Sequence, residues 1–270
     1  MSSTVKYKGA TIATVDNDTA TLDTAGTWLE DDIEITDVSS GGGITYEQIA
    51  DRNFGLGDDV VVTGDLVYER AFACSKIRSV VANTANIQTG AFYGCSQLVS
   101  ATLGTISDFW GRNNIFQNCS SLVDVDIPNG GRFGNSIFQN CTSLIKLYLP
   151  KAHQLHSSCL QGCTNLTHFE TDDSINFSAG LAFQNDSALM TIIMRGTTVR
   201  ALSNVNNFEG TTFATTGSHV GHIYVPQSTL ATYQTATNWS TLYAAYSDIF
   251  KAIEGSEWEN VHIDGTAVTA

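Results

Sequence analysis

Residues 115–128 read IFQNCSSLVDVDIP, and residues 137–150 read IFQNCTSLIKLYLP. Both phrases hold Ile-Phe-Gln-Asn-Cys, a Leu three residues after the Cys, apolar residues six and eight after it, and a closing Pro. Agreement of that length at a spacing of 22 residues is an internal repeat, and a repeat decides the architecture of a chain. The phrase extends outward as AFACSKI (71–77), AFYGCSQL (91–98), CLQGCTNL (159–166) and AFQNDSAL (182–189). Its anchor is Cys74, Cys95, Cys119, Cys141, Cys163 and finally Asp186, at spacings of 21, 24, 22, 22 and 23 residues. Three residues on stand Ile77, Leu98, Leu122, Leu144, Leu166 and Leu189. Six on are Val80, Ala101, Val125, Leu147, Phe169 and Ile192; eight on are Ala82, Leu103, Ile127, Leu149, Thr171 and Met194. A weaker seventh copy has Val220, Ile223 and Val225 in phase, Gly217 at the anchor and Pro226 at its end.

A coil of this length cannot close a core alone, but stacked coils share one. The alternation at six and eight predicts a short strand with those side chains inward and the residues at five and seven outward. The AF or IF pair and the Leu then fill the core from the loop side. These residues resemble BspA-type leucine-rich repeats, whose coils read AF-x-x-C-x-x-L before a strand that often ends in Ile-Pro or Leu-Pro. The resemblance runs over roughly residues 66–226. It implies a mainly β solenoid of about seven coils of roughly 22 residues, with a small β-rich N-terminal module and a helical C-terminal cap. Asp186, the shortened AFACSKI and the insertion between Met194 and Val220 depart from the pattern and imply distorted coils near both ends.

Around the solenoid, the expected divisions are a module at 1–38, a Ser/Gly linker at 39–43, the repeats at 44–226, a cap at 227–254 and a tail at 255–270. The first segment alternates with period two around Lys6–Gly9, Ile12–Val15, Thr19–Leu22 and Ile33–Ile35, which predicts strands. Ser228 to Ile253 has the apolar spacing of a helical stretch, with Leu230, Tyr233, Leu242, Tyr246, Ile249, Phe250 and Ile253.

Composition narrows the function. A net charge of −14 repels phosphate backbones and anionic lipid, so a nucleic-acid partner is not expected. No apolar run approaches ~18 residues, so no membrane insertion by a helix is expected. Met1–Val5 lacks the basic and apolar regions of a secretory signal. The cysteines are read as buried free thiols bonding loop carbonyls, because stacked side chains point the same way and their spacing suits neither bridges nor zinc. Cys159 occupies the small apolar slot of Ala91, Ile115, Ile137 and Ala182. Asn118, Asn140 and Asn185 begin glycosylation sequons, but their shared place just before the anchor is read as turn geometry.

No catalytic signature is present, so no enzyme activity, cofactor or metal is expected. Asp124 and Asp126 with Glu170 two coils away, about 10 Å apart, have the spacing of an inverting hydrolase pair, weighed against ordinary surface acids. The outward rows are Ser79, Ser100, Asp124, Lys146, His168, Thr191, His222 and Val81, Thr102, Asp126, Tyr148, Glu170, Ile193, Tyr224. Their centre, Asp124, Asp126, Lys146, Tyr148, His168 and Glu170, is the candidate ligand-binding face, with a stacking ring and hydrogen-bond acceptors suited to a glycan or protein. Trp110, Tyr93 and the Asn-rich loops form the rival surface.

The run VKYKGATIATVDNDTATLDTAGTWLEDDIEI (5–35) resembles a short module of phage and prophage tail or baseplate proteins, through its Tyr-x-Gly start, Leu22, Thr24 and Gly26, and Asp31-Asp32-Ile33. That resemblance implies a virion tail protein. The module would hold other virion proteins, the solenoid would bind a bacterial surface glycan or protein, and the assembly would be homo-oligomeric. A BspA-type cell-surface adhesin and a non-binding virion decoration are the alternatives.

Overall fold

The computed structural model describes the backbone of strands at 3–7, 10–16, 19–22, 33–36 and 59–62, and residues 76–82, 87–104, 106, 108–214 and 220–268. The expected boundaries at 38 and 43, together with Cys74 and Gly217, lie outside the described residues.

Strands β1 (Ser3–Tyr7), β2 (Ala10–Asp16), β3 (Thr19–Leu22) and β4 (Ile33–Thr36) form an antiparallel group with β1 between β2 and β4. β4 then pairs in parallel with β5 (Asp59–Val62), and β5 with β6 (Ser79–Ala82), so this group runs directly into the repeat ladder. β7 (Ser100–Thr102) and β8 (Asp124–Asp126) complete that eight-stranded sheet. On the same face, β10 (Lys146–Tyr148), β12 (His168–Thr171), β14 (Thr191–Met194), β15 (His222–Val225) and β16 (Phe250–Ala252) make a second parallel sheet. β9 (Arg132–Phe133), β11 (Gln154–Leu155) and β13 (Asn176–Phe177) form a third.

The register follows the repeat. Lys146, His168, Thr191 and His222 are aligned across neighbouring strands, as are Tyr148, Glu170, Ile193 and Tyr224. Between the sheets lies one continuous core. Ile77, Leu98, Leu122, Leu144, Leu166 and Leu189 are all fully buried, and so are Ala91, Ile115, Ile137, Cys159 and Ala182 in the small slot. Phe92, Phe116 and Phe138 stack with ring centroids 5.3 and 5.6 Å apart. The seventh copy departs from the pattern, since Val220, expected inward, is exposed.

The turns explain the anchor. Gly94, Asn118, Asn140, Gly162 and Asn185, each just before it, all adopt left-handed backbone, which only Gly and Asn enter at low cost. The anchor thiols of Cys119, Cys141 and Cys163 each donate to a carbonyl of the preceding coil, Phe92, Phe116 and Phe138 respectively, at 3.1 Å. The five described cysteines are buried thiols. A second left-handed row, five residues before the anchor, contains Gly90, Asn114, Ser136, Ser158 and Leu181.

Residues 227–254 are not one helical stretch. Helix α1 (Gln227–Thr235) and helix α2 (Trp239–Ala245) are followed by β16, so Phe250 lies in a strand. Trp239 is buried against Phe177, Phe208 and Phe250, and its indole N–H donates to the Arg200 carbonyl at 2.7 Å. No helix among the described residues is long and apolar enough to cross a membrane.

Candidate functional site

Period-two strands place the side chains at five and seven on one outer face, and that face has two halves. Over β12, β14 and β15, and over Tyr148 of β10, it is covered. Residues 255–268, the described part of the expected tail at 255–270, fold back across the strands as a strap. Ile253 and Ile263 pack on Ile193, with Tyr148, Tyr224 and Trp258 around them.

Glu170 is the centre of this contact. It is fully buried, which corrects its expected place on an open face. Its Oε1 accepts from Arg195 Nε at 2.6 Å and lies 2.6 Å from His262 Nδ1, while Oε2 accepts from the Ile263 N–H at 2.7 Å. Arg195 also donates to the Trp258 carbonyl at 2.9 Å and to the Val261 carbonyl at 3.0 Å. Lys146 Nζ donates to the Ile263 carbonyl at 3.0 Å. The strap is therefore held largely through its main chain. Three charged side chains of the face take its carbonyls and one amide.

Tyr148 and His168 are half-buried rather than open, because the strap lies against both. Tyr148 stacks on His262 at 4.5 Å between ring centroids, and its hydroxyl donates to Asp172 at 2.8 Å. Burial, reinforced by Asp172, pushes the Tyr148 hydroxyl pKa up. His168 meets Trp258 edge to face at 5.6 Å, and burial, with Lys146 beside it, pushes its pKa down.

Glu170, Asp172 and His262 bring ligand-type atoms within 4.8 Å of one another. The Arg195 guanidinium, the His262 ring and the Ile263 N–H already engage both oxygens of the Glu170 carboxylate, and the Arg195 charge beside it repels a second cation. This geometry also separates Glu170 from Asp124 and Asp126 as a hydrolytic pair. Glu170 is committed to the strap, whereas the two aspartates face solvent.

The other half of the face is open. Asp124, Asp126 and Lys146 are exposed, and with Tyr148 they border a groove of about 630 Å³. Val123, Ile145, Pro128 and Pro150 also line it, together with Ile263 and Asp264 of the strap. The structure thus brings Asp124, Asp126, Lys146 and Tyr148 together at one groove and leaves His168 and Glu170 under the strap. Val123 and Ile145 were missed because the residue four after the anchor shares the parity of the inward residues at six and eight, yet stands just before the strand and is exposed. A row of apolar side chains there was the available signal.

On the rival surface, Trp110 is 52% exposed. It meets the His156 ring at 4.5 Å, and the Arg132 guanidinium lies 5.1 Å from its centroid. Arg132 is in turn paired with Asp108. The indole is therefore engaged by its own coils.

Comparison with known proteins gives the family. A profile of the BspA type leucine rich repeat region (6 copies) matches residues 65–190 and 112–238. No curated protein matches the chain. Among solved structures, a leucine-rich repeat protein from Bacteroides ovatus ATCC 8483 aligns at 22% identity with a TM-score of 0.44, over 61% of this chain and 37% of that one. The T. pallidum leucine rich repeat protein aligns at 19% identity with a TM-score of 0.37, over 61% of this chain and 64% of that one. A leucine rich cell surface protein from Faecalibacterium prausnitzii A2-165 aligns at 14% identity with a TM-score of 0.41, over 84% and 71%. The chain therefore spans well under half the length of the Bacteroides protein. With the repeat matched across most of its length and its coils built as that repeat requires, the chain belongs to the BspA type leucine rich repeat family.

Proposed function

We propose that this chain is a non-enzymatic recognition protein acting at a bacterial surface, with the groove beside β8 and β10 as its binding site. The observation that carries this reading is the groove itself. It places apolar walls, two solvent-facing carboxylates and a tyrosine ring on the face that the repeat keeps free of core duties. The BspA-type repeat supports the cell-surface setting. Placement on a virion tail rests on the resemblance of residues 5–35 alone and is the second reading.

The test is adsorption of the labelled full chain to a panel of bacterial cells. Selective, saturable binding to some strains is expected. A folded chain that binds none of them would contradict the reading and leave a structural role. Recovery of the chain from purified phage particles, against recovery from cell envelopes, separates the two settings.

A further inference from the structure

The face over β12, β14 and β15 already holds a polypeptide segment, and the segment is the chain's own strap. Arg195 donates to the Trp258 and Val261 carbonyls, Lys146 donates to the Ile263 carbonyl, and Glu170 accepts from the Ile263 N–H. Two side chains complete the fit, Ile263 on Ile193 and the His262 ring on Tyr148. Ile193, Ile253 and Ile263 form a cluster apart from the continuous core of the coils. Lifting the strap therefore opens no core. Glu170 and Arg195, 2.6 Å apart, stay paired with each other when it leaves. Elements of this kind open locally, at a smaller free energy than global unfolding.

One turn sends the strap back onto its own face. Ile253 still belongs to the sheet, its N–H donating to the Val225 carbonyl at 2.9 Å. Ser256 N–H then donates to the Ile253 carbonyl at 3.0 Å, and Gly255 between them has φ +78°, with no such backbone at Glu254 before it. That is a type II turn, whose third residue needs positive φ. Glu254, Gly255 and Glu257 are exposed, and no atom lies within 4 Å of where a side chain at Gly255 would begin. The turn thus depends on the freedom of one glycine and not on packing. Straightened, residues 254–257 span about 13 Å. That exceeds the roughly 10 Å between packed sheet faces, so the strap reaches the same face of a second copy.

We propose that two copies of this chain exchange straps, each laying residues 258–263 across β12, β14 and β15 of the other. The exchanged strap remakes every contact beyond the turn, so a closed two-fold dimer forms from a surface and a segment already shown to fit each other. The groove keeps its lining, with Ile263 and Asp264 supplied by the second copy. Cell adsorption therefore does not depend on exchange, and the two stand or fall separately. A net charge of −14 on each copy opposes association, so the dimer fraction rises with salt.

The experiment is sedimentation velocity over a concentration series of the full chain, Gly255→Val and Gly255→Val/Ile263→Ser. Valine is strained at positive φ and straightens the turn. Dimerisation is expected to strengthen at least tenfold in Gly255→Val, with amides 258–264 still protected from exchange in the dimer. Adding Ile263→Ser removes the contact with Ile193 and is expected to reverse that gain. A Gly255→Val chain that stays monomeric, or a dimer equally strong with Ile263→Ser, would overturn the inference. A second measurement does not rely on the Gly255 variant. It titrates a fluorescent, end-blocked peptide of residues 256–268 into full-length His262→Ala/Ile263→Ser, whose own strap is unseated while the face is unaltered. Saturable binding, at least tenfold tighter than to the unaltered chain, is expected. Equal or absent binding would show that the face does not take the strap from another molecule, and would overturn the inference too.

Discussion

At the scale of single residues, the anchor shows how one atom decides a position. The thiol donates one hydrogen bond to a carbonyl of the preceding coil and leaves nothing else to satisfy, which suits full burial. Asp186 fills the same place differently. One oxygen accepts from the Cys163 N–H at 2.8 Å, while Oδ2 is buried without a partner. Burial holds its carboxyl well above the usual carboxylate range, against the opposing pull of the Cys163 and Gly162 amides. Below the usual range the folded and unfolded chains both carry it protonated, and stability is unaffected. As pH rises through that range the unfolded chain ionises first, so stability falls until the folded group also ionises. Asp186→Cys restores the repeat residue, with the Leu160 carbonyl at the equivalent acceptor position. It is expected to stabilise the fold by about 1–3 kcal/mol at pH 7. Urea melts of both proteins at pH 7 and pH 4 check this; the gain should shrink at pH 4, and an equal gain at both would remove ionisation as its cause. The left-handed row before the anchor was legible because Gly and Asn alternate there. The second row was not, because Gly90, Asn114, Ser136, Ser158 and Leu181 share no side-chain chemistry.

Among the elements, the strap separates what the chain declares from what only folding brings about. The strand phase was readable because period two is a local signal repeated many times. The strap belongs to no repeat, and the hydrogen bonds that hold it to the strand face join residues 63 to 117 positions apart, such as Arg195 to Trp258 and Lys146 to Ile263. In sequence, Glu170 is indistinguishable from an outward acid like Asp126. The groove was half legible for the same reason. Asp124, Asp126, Lys146 and Tyr148 follow from phase, whereas the end of one sheet at β8 and the start of the next at β10 interrupt no repeat in the sequence. The buried pair of Glu170 and Arg195 gives this element its own prediction. Arg195→Ala leaves a fully buried carboxylate without its cation, at a cost of about 3 kcal/mol. Amides 258–264 are then expected to exchange on the order of a hundredfold faster, while those of the coil around Phe116 keep their protection. Unchanged exchange in the strap would show that its apolar contacts with Ile193 hold it alone.

For the whole molecule, the solenoid is a scaffold that keeps its core duties on inward rows and loops and leaves one face for other work. The strap takes the C-terminal half of that face and leaves the groove in the other half, so the account depends on the groove being where a partner binds. Two exposed side chains on different surfaces decide it, Ile145 in the groove wall and Trp110 on the rival surface. Substitutions at such positions shift stability by about 0.5 kcal/mol or less, so binding reports directly on place. The measurement is adsorption of full-length Ile145→Asp and Trp110→Ala, beside the unaltered chain, to a strain that the unaltered chain binds. A loss of at least tenfold for Ile145→Asp with Trp110→Ala unchanged is the predicted result. The reverse pattern would contradict the account and move the site to the loops around Trp110.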